Sequence, residues 1–305
     1  MAQSRPFTRR SLLGAALLGA TGVAAGCGSA GIPPEPGIGR SGGEAATPET
    51  PGTPAGSADS SPSATAEATN AEIIARATVP VLCYHQVRPY ESGDTSYSKQ
   101  LLIIEPARFR EQLDAIKGAG YTTITPDDYL AHLTGGAQLP EKPVILSFDD
   151  GKDNQPEVAL AAVAERGMKA TWFIMTTVIG NPGWTTKAQI RQMAEAGMTI
   201  GAHTWDHHDV RKYKGKDFTI QFDEPREKLQ ELSGQPVDTF AYPYGAWNPA
   251  ALPHLEKAGY RTGFQLSDKP IDGRHPLMTL RRSLTASDWT GEQVVAKLRE
   301  IAQKA

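Results

Sequence analysis

Four times between residues 119 and 260 an amphipathic stretch ends in a glycine set directly before an apolar run: Ala119-Gly120-Tyr121, Arg166-Gly167-Met168, Ala196-Gly197-Met198 and Ala258-Gly259-Tyr260. A glycine in that place closes a helix in the left-handed conformation and releases the chain into a strand. The apolar runs predict strands at Val79–Tyr84, Tyr121–Ile124, Val144–Phe148, Ala170–Met175, Met198–Ala202, Thr239–Tyr242, Tyr260–Leu266 and Met278–Leu284. Helical spacing predicts a helix over Pro106–Lys117, where Phe109, Leu113 and Ile116 share a face, and others at Glu157–Arg166, Lys187–Ala196, Glu224–Leu232, Pro249–Lys257 and Gly291–Gln303. Strands and helices in alternation specify an α/β fold with a parallel sheet, open or closed into a barrel. In either form a functional site belongs at the C-terminal edge of the strands.

The core-forming residues begin late. No Phe, Tyr or Trp stands between Phe7 and Tyr84, so a sizeable core is confined to the chain from Tyr84 onward. The N-terminus runs Thr8-Arg9-Arg10-Ser11-Leu12-Leu13 and then through small and apolar residues to Ala25. A charged start before so short an apolar run reads as a signal peptide rather than a membrane-spanning helix. The Arg pair resembles a twin-arginine export signal. Val23-Ala24-Ala25-Gly26-Cys27 resembles a bacterial lipobox, with Ala24 where Leu is usual. Residues 1–27 are thus expected to direct export, with Cys27 as the lipidation site; simple secretion is the alternative. Residues 28–71, dominated by Gly, Pro, Ala, Ser and Thr, read as a disordered tether before a catalytic domain over 72–305. Contact with a membrane is expected only through the N-terminal lipid, on the outer face of the cytoplasmic membrane. With Cys27 lipidated, Cys83 has no partner and reads as a buried strand residue; a disulfide between the two is the alternative.

Charge narrows the partners. Without residues 1–27 the chain holds 28 basic against 34 acidic residues, which argues against nucleic acid and suits a neutral or cationic polymer.

Polar residues gather where the strands should end. Val144-Ile145-Leu146 leads into Ser147-Phe148-Asp149-Asp150-Gly151. Adjacent carboxylates at the end of a buried strand need a neutralising partner, although capping of the next helix is the simpler reading. The run Met198–Ala202 leads into His203-Thr204-Trp205-Asp206-His207-His208, and Thr239–Tyr242 into Pro243-Tyr244-Gly245. His203 and His207, four apart, would share one face of a helical turn. With a carboxylate they would form a His₂Asp site for a divalent metal with a position open to water. No His-Glu-x-x-His motif is present, which disfavours a zincin protease.

These segments resemble the polysaccharide deacetylase family, the NodB homology domain or carbohydrate esterase family 4. Ser147–Gly151 matches its Thr/Ser-Phe-Asp-Asp-Gly motif, His203–His207 its His-Ser/Thr-x-x-His motif, and Ala241–Gly245 part of its Arg-x-Pro-Tyr-Gly motif. The resemblance runs from about Val79 to the C-terminus. It implies a distorted (β/α) barrel of about seven parallel strands and removal of N-acetyl groups from an extracellular or cell-wall polysaccharide; the chain is expected to act as a monomer. It implies that Asp150, His203 and His207 bind the metal, most simply zinc, with cobalt or nickel also suited. Asp149 is then the general base, and the backbone N–H of Tyr244 helps to hold the oxyanion.

Two departures matter. Ala241 stands where most members have Arg, and the late Leu-x-x-His motif is missing. An early Val81-Leu82-Cys83-Tyr84-His85 takes its place, as in the branch that contains poly-N-acetylglucosamine deacetylases. His85 is therefore the candidate general acid, against the alternative of a His bonded into the barrel mouth. Asp149 still needs a positive neighbour, and Arg282, or else Arg281, is expected to supply it. Trp184, Tyr244 and Trp247 are candidates for stacking on sugar rings, Trp172 is expected in the core, and His208 is read as a bystander. The rival functions are a glycoside hydrolase and an inactive cell-surface sugar-binding lipoprotein.

Overall fold

The computed structural model describes residues 68–266 and 269–304. The expected export signal, Cys27 and nearly all of the expected tether lie outside these residues. The first described element, α1 (Asn70–Arg76), begins inside the span expected to be tether; a capping box between Thr69 and Glu72 starts it. The other helices are α2 (Ser96–Leu101), α3 (Pro106–Gly118), α4 (Pro126–Gly135), α5 (Leu160–Ala164), α6 (Lys187–Glu195), α7 (Glu224–Ser233), α8 (Leu252–Lys257) and α9 (Gly291–Lys304). The strands are β1 (Val81–Tyr84), β2 (Gln86–Val87), β3 (Ile103–Ile104), β4 (Thr122–Thr123), β5 (Pro143–Phe148), β6 (Thr171–Ile174), β7 (Thr199–Ala202), β8 (Thr239–Ala241), β9 (Thr262–Phe264) and β10 (Ser283–Leu284). No helix among the described residues is long and apolar enough to cross a membrane.

Seven parallel strands form one curled sheet in the order β10-β1-β5-β6-β7-β8-β9, with β4 beside the start of β5. The two edges of this half-barrel are bridged by one segment. Leu280 exchanges backbone hydrogen bonds with Gly263 and Gln265 at the β9 edge. Three residues on, Ser283 and Leu284 pair with Leu82 and Cys83 of β1.

Strand alternation divides the buried side chains into two layers. Leu82, Tyr84, Val144, Leu146, Phe148, Trp172 and Ile200 pack outward with Phe109, Leu113 and Ile116 of α3 and with residues of α6, α7 and α9. Val81, Ile145, Phe173, Ala241, Phe264 and Leu280 point the other way and form an interior layer with Ile73 of α1 and Tyr129 and Leu133 of α4. The interior is thus plugged with apolar side chains at one end. At the C-terminal ends of the strands the same inward face continues as Cys83, Ser147, Asp149 and His203, all buried.

Each predicted strand has a counterpart: β5 is one residue longer than predicted, the others are shorter, and of Met278–Leu284 only Ser283–Leu284 is strand. α1, α2 and α4 are additional to the helices that apolar spacing predicts. α4 carries an explicit signal in Thr125-Pro126-Asp127-Asp128, a capping box with Pro at its first turn. α9 is capped by Thr290, whose hydroxyl accepts from the Gln293 N–H while its own N–H donates to the Gln293 side chain.

Candidate active site

Asp149 is the first residue past β5 and faces inward. Both its carboxylate oxygens are taken by Arg282: Nη1 donates to Oδ1 at 2.6 Å and Nη2 to Oδ2 at 2.8 Å. Arg282 is buried, donates also to Ser147 Oγ at 3.2 Å and the Gln265 carbonyl at 3.3 Å, and sits 5.2 Å from the Phe173 ring. A forked pair of this kind fixes the carboxylate in position as well as in charge. Burial alone would raise the pKa of Asp149, but the charge of Arg282 outweighs it, and the carboxyl lies well below its ordinary range. Burial likewise opposes the charge of Arg282, and Asp149 more than restores it. Arg281, the alternative partner, is exposed. Alternation explains the choice, since Leu280 belongs to the interior layer and Arg282, two residues on, shares its face. Ala241 belongs to that layer too, so no long side chain enters from β8.

Asp150 departs from the strand with φ 79° and is followed by Gly151 at φ 84°. A Cβ on Gly151 would stand 2.8 Å from Ile174 Cγ2, so glycine is required on both counts. The reversal turns Asp150 toward the loop after β7. Its Oδ1 lies 3.6 Å from His203 Nε2 and 3.4 Å from His207 Nε2, yet is buried without a hydrogen-bond partner. His203 and His207 do not sit on a helical turn as expected. The segment is a loop in which Thr204 and His207 take φ 67° and 66°, and Thr204 Oγ1 accepts the His207 N–H at 2.9 Å. This loop brings the imidazole centroids to 4.9 Å.

The described residues contain four non-glycine residues with positive φ: Asp150, Thr204, His207 and Tyr244. All four are at this site, and such strain persists only where the surroundings enforce it.

The donor set fits a divalent cation. Nδ1 of His203 donates to the Ala241 carbonyl at 2.7 Å, which leaves Nε2 as the free lone pair facing Asp150. Burial lowers the pKa of His203 to about 4 against the opposing pull of Asp149, so the imidazole is neutral and ready to bind a metal. Burial works against the charge of Asp150, and the nearby His207 imidazole leads the influences that hold its carboxyl below the ordinary value. The ligand atoms of Asp150, His203 and His207 all lie within 4.8 Å of one another. Cys83, His85 and Asp149 form a second group of the same span. That group is a poor metal site, because Arg282 already saturates Asp149 and burial pushes the Cys83 thiol well above its ordinary pKa. The adjacent carboxylates therefore have separate partners, unlike the facing pair of a glycoside hydrolase.

An open cleft of about 450 Å³ leads to these groups. It is lined by Asp150, Met175, Thr177, Val178, Trp184, Asp206, His207, His208 and Tyr244. Tyr244 is 68% exposed, and its ring stands edge-on to His207 with centroids 4.5 Å apart. Its backbone is held at φ 60° by a tight turn, where a Cβ on Gly245 would collide with the backbone of Leu266. Trp184 lies under Lys152, whose Nζ is 3.4 Å from the ring centroid. Trp247, expected on the sugar path, is not among the lining residues; its indole donates to Gln265 Oε1 and its ring packs on the outer core. Trp172 is fully buried. His208 bonds Asp206 at 2.6 Å, and its side chain is otherwise exposed. His85 stands at the end of β1, with Nδ1 buried and lacking a partner.

Sequence reasoning passes over the residues that support the site. Gln221 accepts from the Trp205 N–H and the Tyr213 hydroxyl, and donates to Asp206. Gln155 donates to the backbone of both Asp149 and His85. Each lies in a π-helical turn, residues 219–223 and 155–159. Such turns interrupt the 3.6-residue period and carry no marker in the sequence.

Residues 136–263 match the model of the polysaccharide deacetylase family. The chain is 28% identical over 187 residues to YxkH of Bacillus subtilis (strain 168), a match that covers 61% of this chain and 64% of that one, just under two thirds of the relative's length. It is 26% identical over 211 residues to the poly-beta-1,6-N-acetyl-D-glucosamine N-deacetylase of Staphylococcus aureus (strain MRSA252), with 62% and 72% covered. Among solved structures it resembles IcaB from Ammonifex degensii, with 26% identity, TM-score 0.60 and 73% and 97% of the chains covered. The Streptococcus pyogenes deacetylase PplD, at 23% identity and TM-score 0.67 with 72% and 97% covered, shares the fold.

Proposed function

We propose that this chain, whose residues 136–263 match the model of the polysaccharide deacetylase family, is an exported, metal-dependent hydrolase that removes N-acetyl groups from an N-acetylglucosamine-containing polysaccharide. The observation that carries this reading is the pairing of two carboxylates in one strand end. Asp149 is ionised and locked by Arg282, while Asp150 faces two imidazoles with an unpartnered oxygen. Poly-β-1,6-N-acetylglucosamine is the first substrate to test, because the Staphylococcus aureus relative is named for it.

A divalent cation held by Asp150, His203 and His207, zinc by the chemistry of the donor set, would supply Lewis-acid chemistry, acidifying a water and polarising the acetamide carbonyl. Asp149 takes the proton of the attacking water. Arg282 holds that carboxylate in place and keeps it ionised, at the expense of some basicity. The backbone N–H of Tyr244, presented by the strained turn Pro243–Gly245, stabilises the developing oxyanion. His85 returns a proton to the nitrogen as the C–N bond breaks, giving a free amine and acetate. Tyr244 and Trp184 offer ring faces to the sugars. The openness of the cleft suits a polymer chain.

The N-terminal sequence supports export, with a lipid at Cys27 as the sole membrane contact and a tether up to the folded domain. Cys27→Ala should move the protein from the membrane fraction to the soluble fraction; retention in the membrane would exclude that anchor.

The function is tested by acetate release from poly-β-1,6-N-acetylglucosamine, chitin and peptidoglycan oligosaccharides, after chelation and again with zinc, cobalt or nickel returned. Acetate from at least one polymer, lost with chelator and regained with metal, is expected. No acetate from any of them, or release that ignores the chelator, would overturn the reading.

A further inference from the structure

Gln155 is fully buried and takes no part in the proposed chemistry. Its Nε2 donates to the His85 carbonyl at 2.8 Å and to the Asp149 carbonyl at 2.5 Å. The amide orientation is set by this pattern, because a flipped group would aim Oε1 at two carbonyl oxygens. Oε1 itself is buried without a partner. A buried carbonyl left unpaired is unfavourable, so the side chain is held there by what its other end does.

The location explains the need. β1 and β5 pair in register from Val81 and Ile145 to Tyr84 and Phe148, and the Asp149 N–H donates once more to the Tyr84 carbonyl. Beyond that rung the strands part, β1 toward His85 and β5 toward Asp149. Gln155 spans the gap as a side-chain rung that ties the two strand ends together. Its neighbour Asn154 accepts the Val87 N–H at 2.8 Å, which anchors the same corner one step further along. The π-helical turn that starts at Gln155 aims the side chain back across the strand ends.

We propose that Gln155 is a positioning residue that sets the distance between His85 and Asp149, so that the groups that give and take protons address one acetamide. This rests on the roles given to those two residues under the proposed function. Gln155 acts on the backbone behind the two side chains and makes no hydrogen bond to Asp150, His203, His207, Trp184 or Tyr244. Its loss should therefore lower kcat and leave substrate affinity and metal content in place.

The test is steady-state acetate release by the full chain, with metal content and Tm measured on the same samples. Gln155→Met keeps the length and removes the donor. Gln155→Asn keeps a donor but withdraws it by one methylene, and carries the test if Q155M does not fold. The wild type should release acetate. Each variant should lose kcat by about tenfold or more, with KM within about twofold and metal retained. In a His85→Ala background the same substitution should cost less than about twofold, because the partner it positions is gone. An unchanged kcat, a loss that appears as raised KM or missing metal, or an undiminished loss in the H85A background would each overturn the proposal. A wild type that releases no acetate from any polymer would instead bring down the proposed function, and the role of Gln155 with it.

Discussion

Asp149 and Asp150 are neighbours in sequence and opposites in structure. Asp149 has every oxygen satisfied from within the protein, by a guanidinium that is itself buried. Asp150 is turned away by a left-handed backbone toward two imidazoles, and one of its oxygens is buried with nothing bonded to it. The chain supplies the cation for the first carboxylate and leaves the second to receive one. A buried carboxylate is costly without a counter-charge, so the contrast is a statement about function as much as about packing.

Substitutions can break this contrast at different depths. The largest effects should come from the ligands of the open half and from the base. His203→Ala or Asp150→Asn should reduce acetate release by on the order of 100-fold or more and lower metal content in step; full activity with the metal gone would remove the basis for assigning those residues. Asp149→Asn should cost about 100- to 10,000-fold in kcat while the metal stays bound.

Arg282→Met comes next, because it converts the satisfied half into an unsatisfied one. Leaving a buried carboxylate unpaired should destabilise the fold by about 3–5 kcal/mol, read as a fall in denaturation midpoint. It should also reverse a pH dependence. In the wild type the folded pKa of Asp149 is depressed, so its contribution to stability is complete above the unfolded carboxylate value and is lost as pH falls through the folded value. Without Arg282 burial dominates and the folded pKa rises above the unfolded one. The variant should then lose stability as pH rises, and its activity should fall off at a higher pH on the acid side. Unfolding curves from about pH 4 to about pH 8 that keep the wild-type shape would show that Arg282 does not control Asp149. Arg281→Ala, on the outward face of the same segment, should change stability by no more than about 0.5 kcal/mol and leave activity alone.

Part of this contrast is legible in the sequence. Strand starts are readable where a glycine closes the preceding helix, as at Gly167 and Gly197, strand ends where an apolar run gives way to polar residues, and the Asp-Asp and His-x-x-x-His segments fall on such ends. The choice of Arg282 over Arg281 needs the register of one residue: once Leu280 is known to face the interior, two-residue alternation settles it. Other features are not legible. The spacing of His203 and His207 suggests a helical face, whereas the backbone brings them together through positive φ at Thr204 and His207, which neither residue type announces. Gln155 and Gln221 owe their places to π-helical turns, which have no sequence signature. Trp247 looks like Trp184 in the sequence, each in a loop after a strand, and only packing separates the one on the core from the one on the cleft.

Metal content and acetate release, measured on the same preparations of wild type, Asp149→Asn and Asp150→Asn, test the division of labour most directly. The account predicts that Asp149→Asn keeps the metal of the wild type and loses the activity, while Asp150→Asn loses both. Loss of metal in Asp149→Asn to the same degree, or retention of both metal and activity in Asp150→Asn, would contradict it.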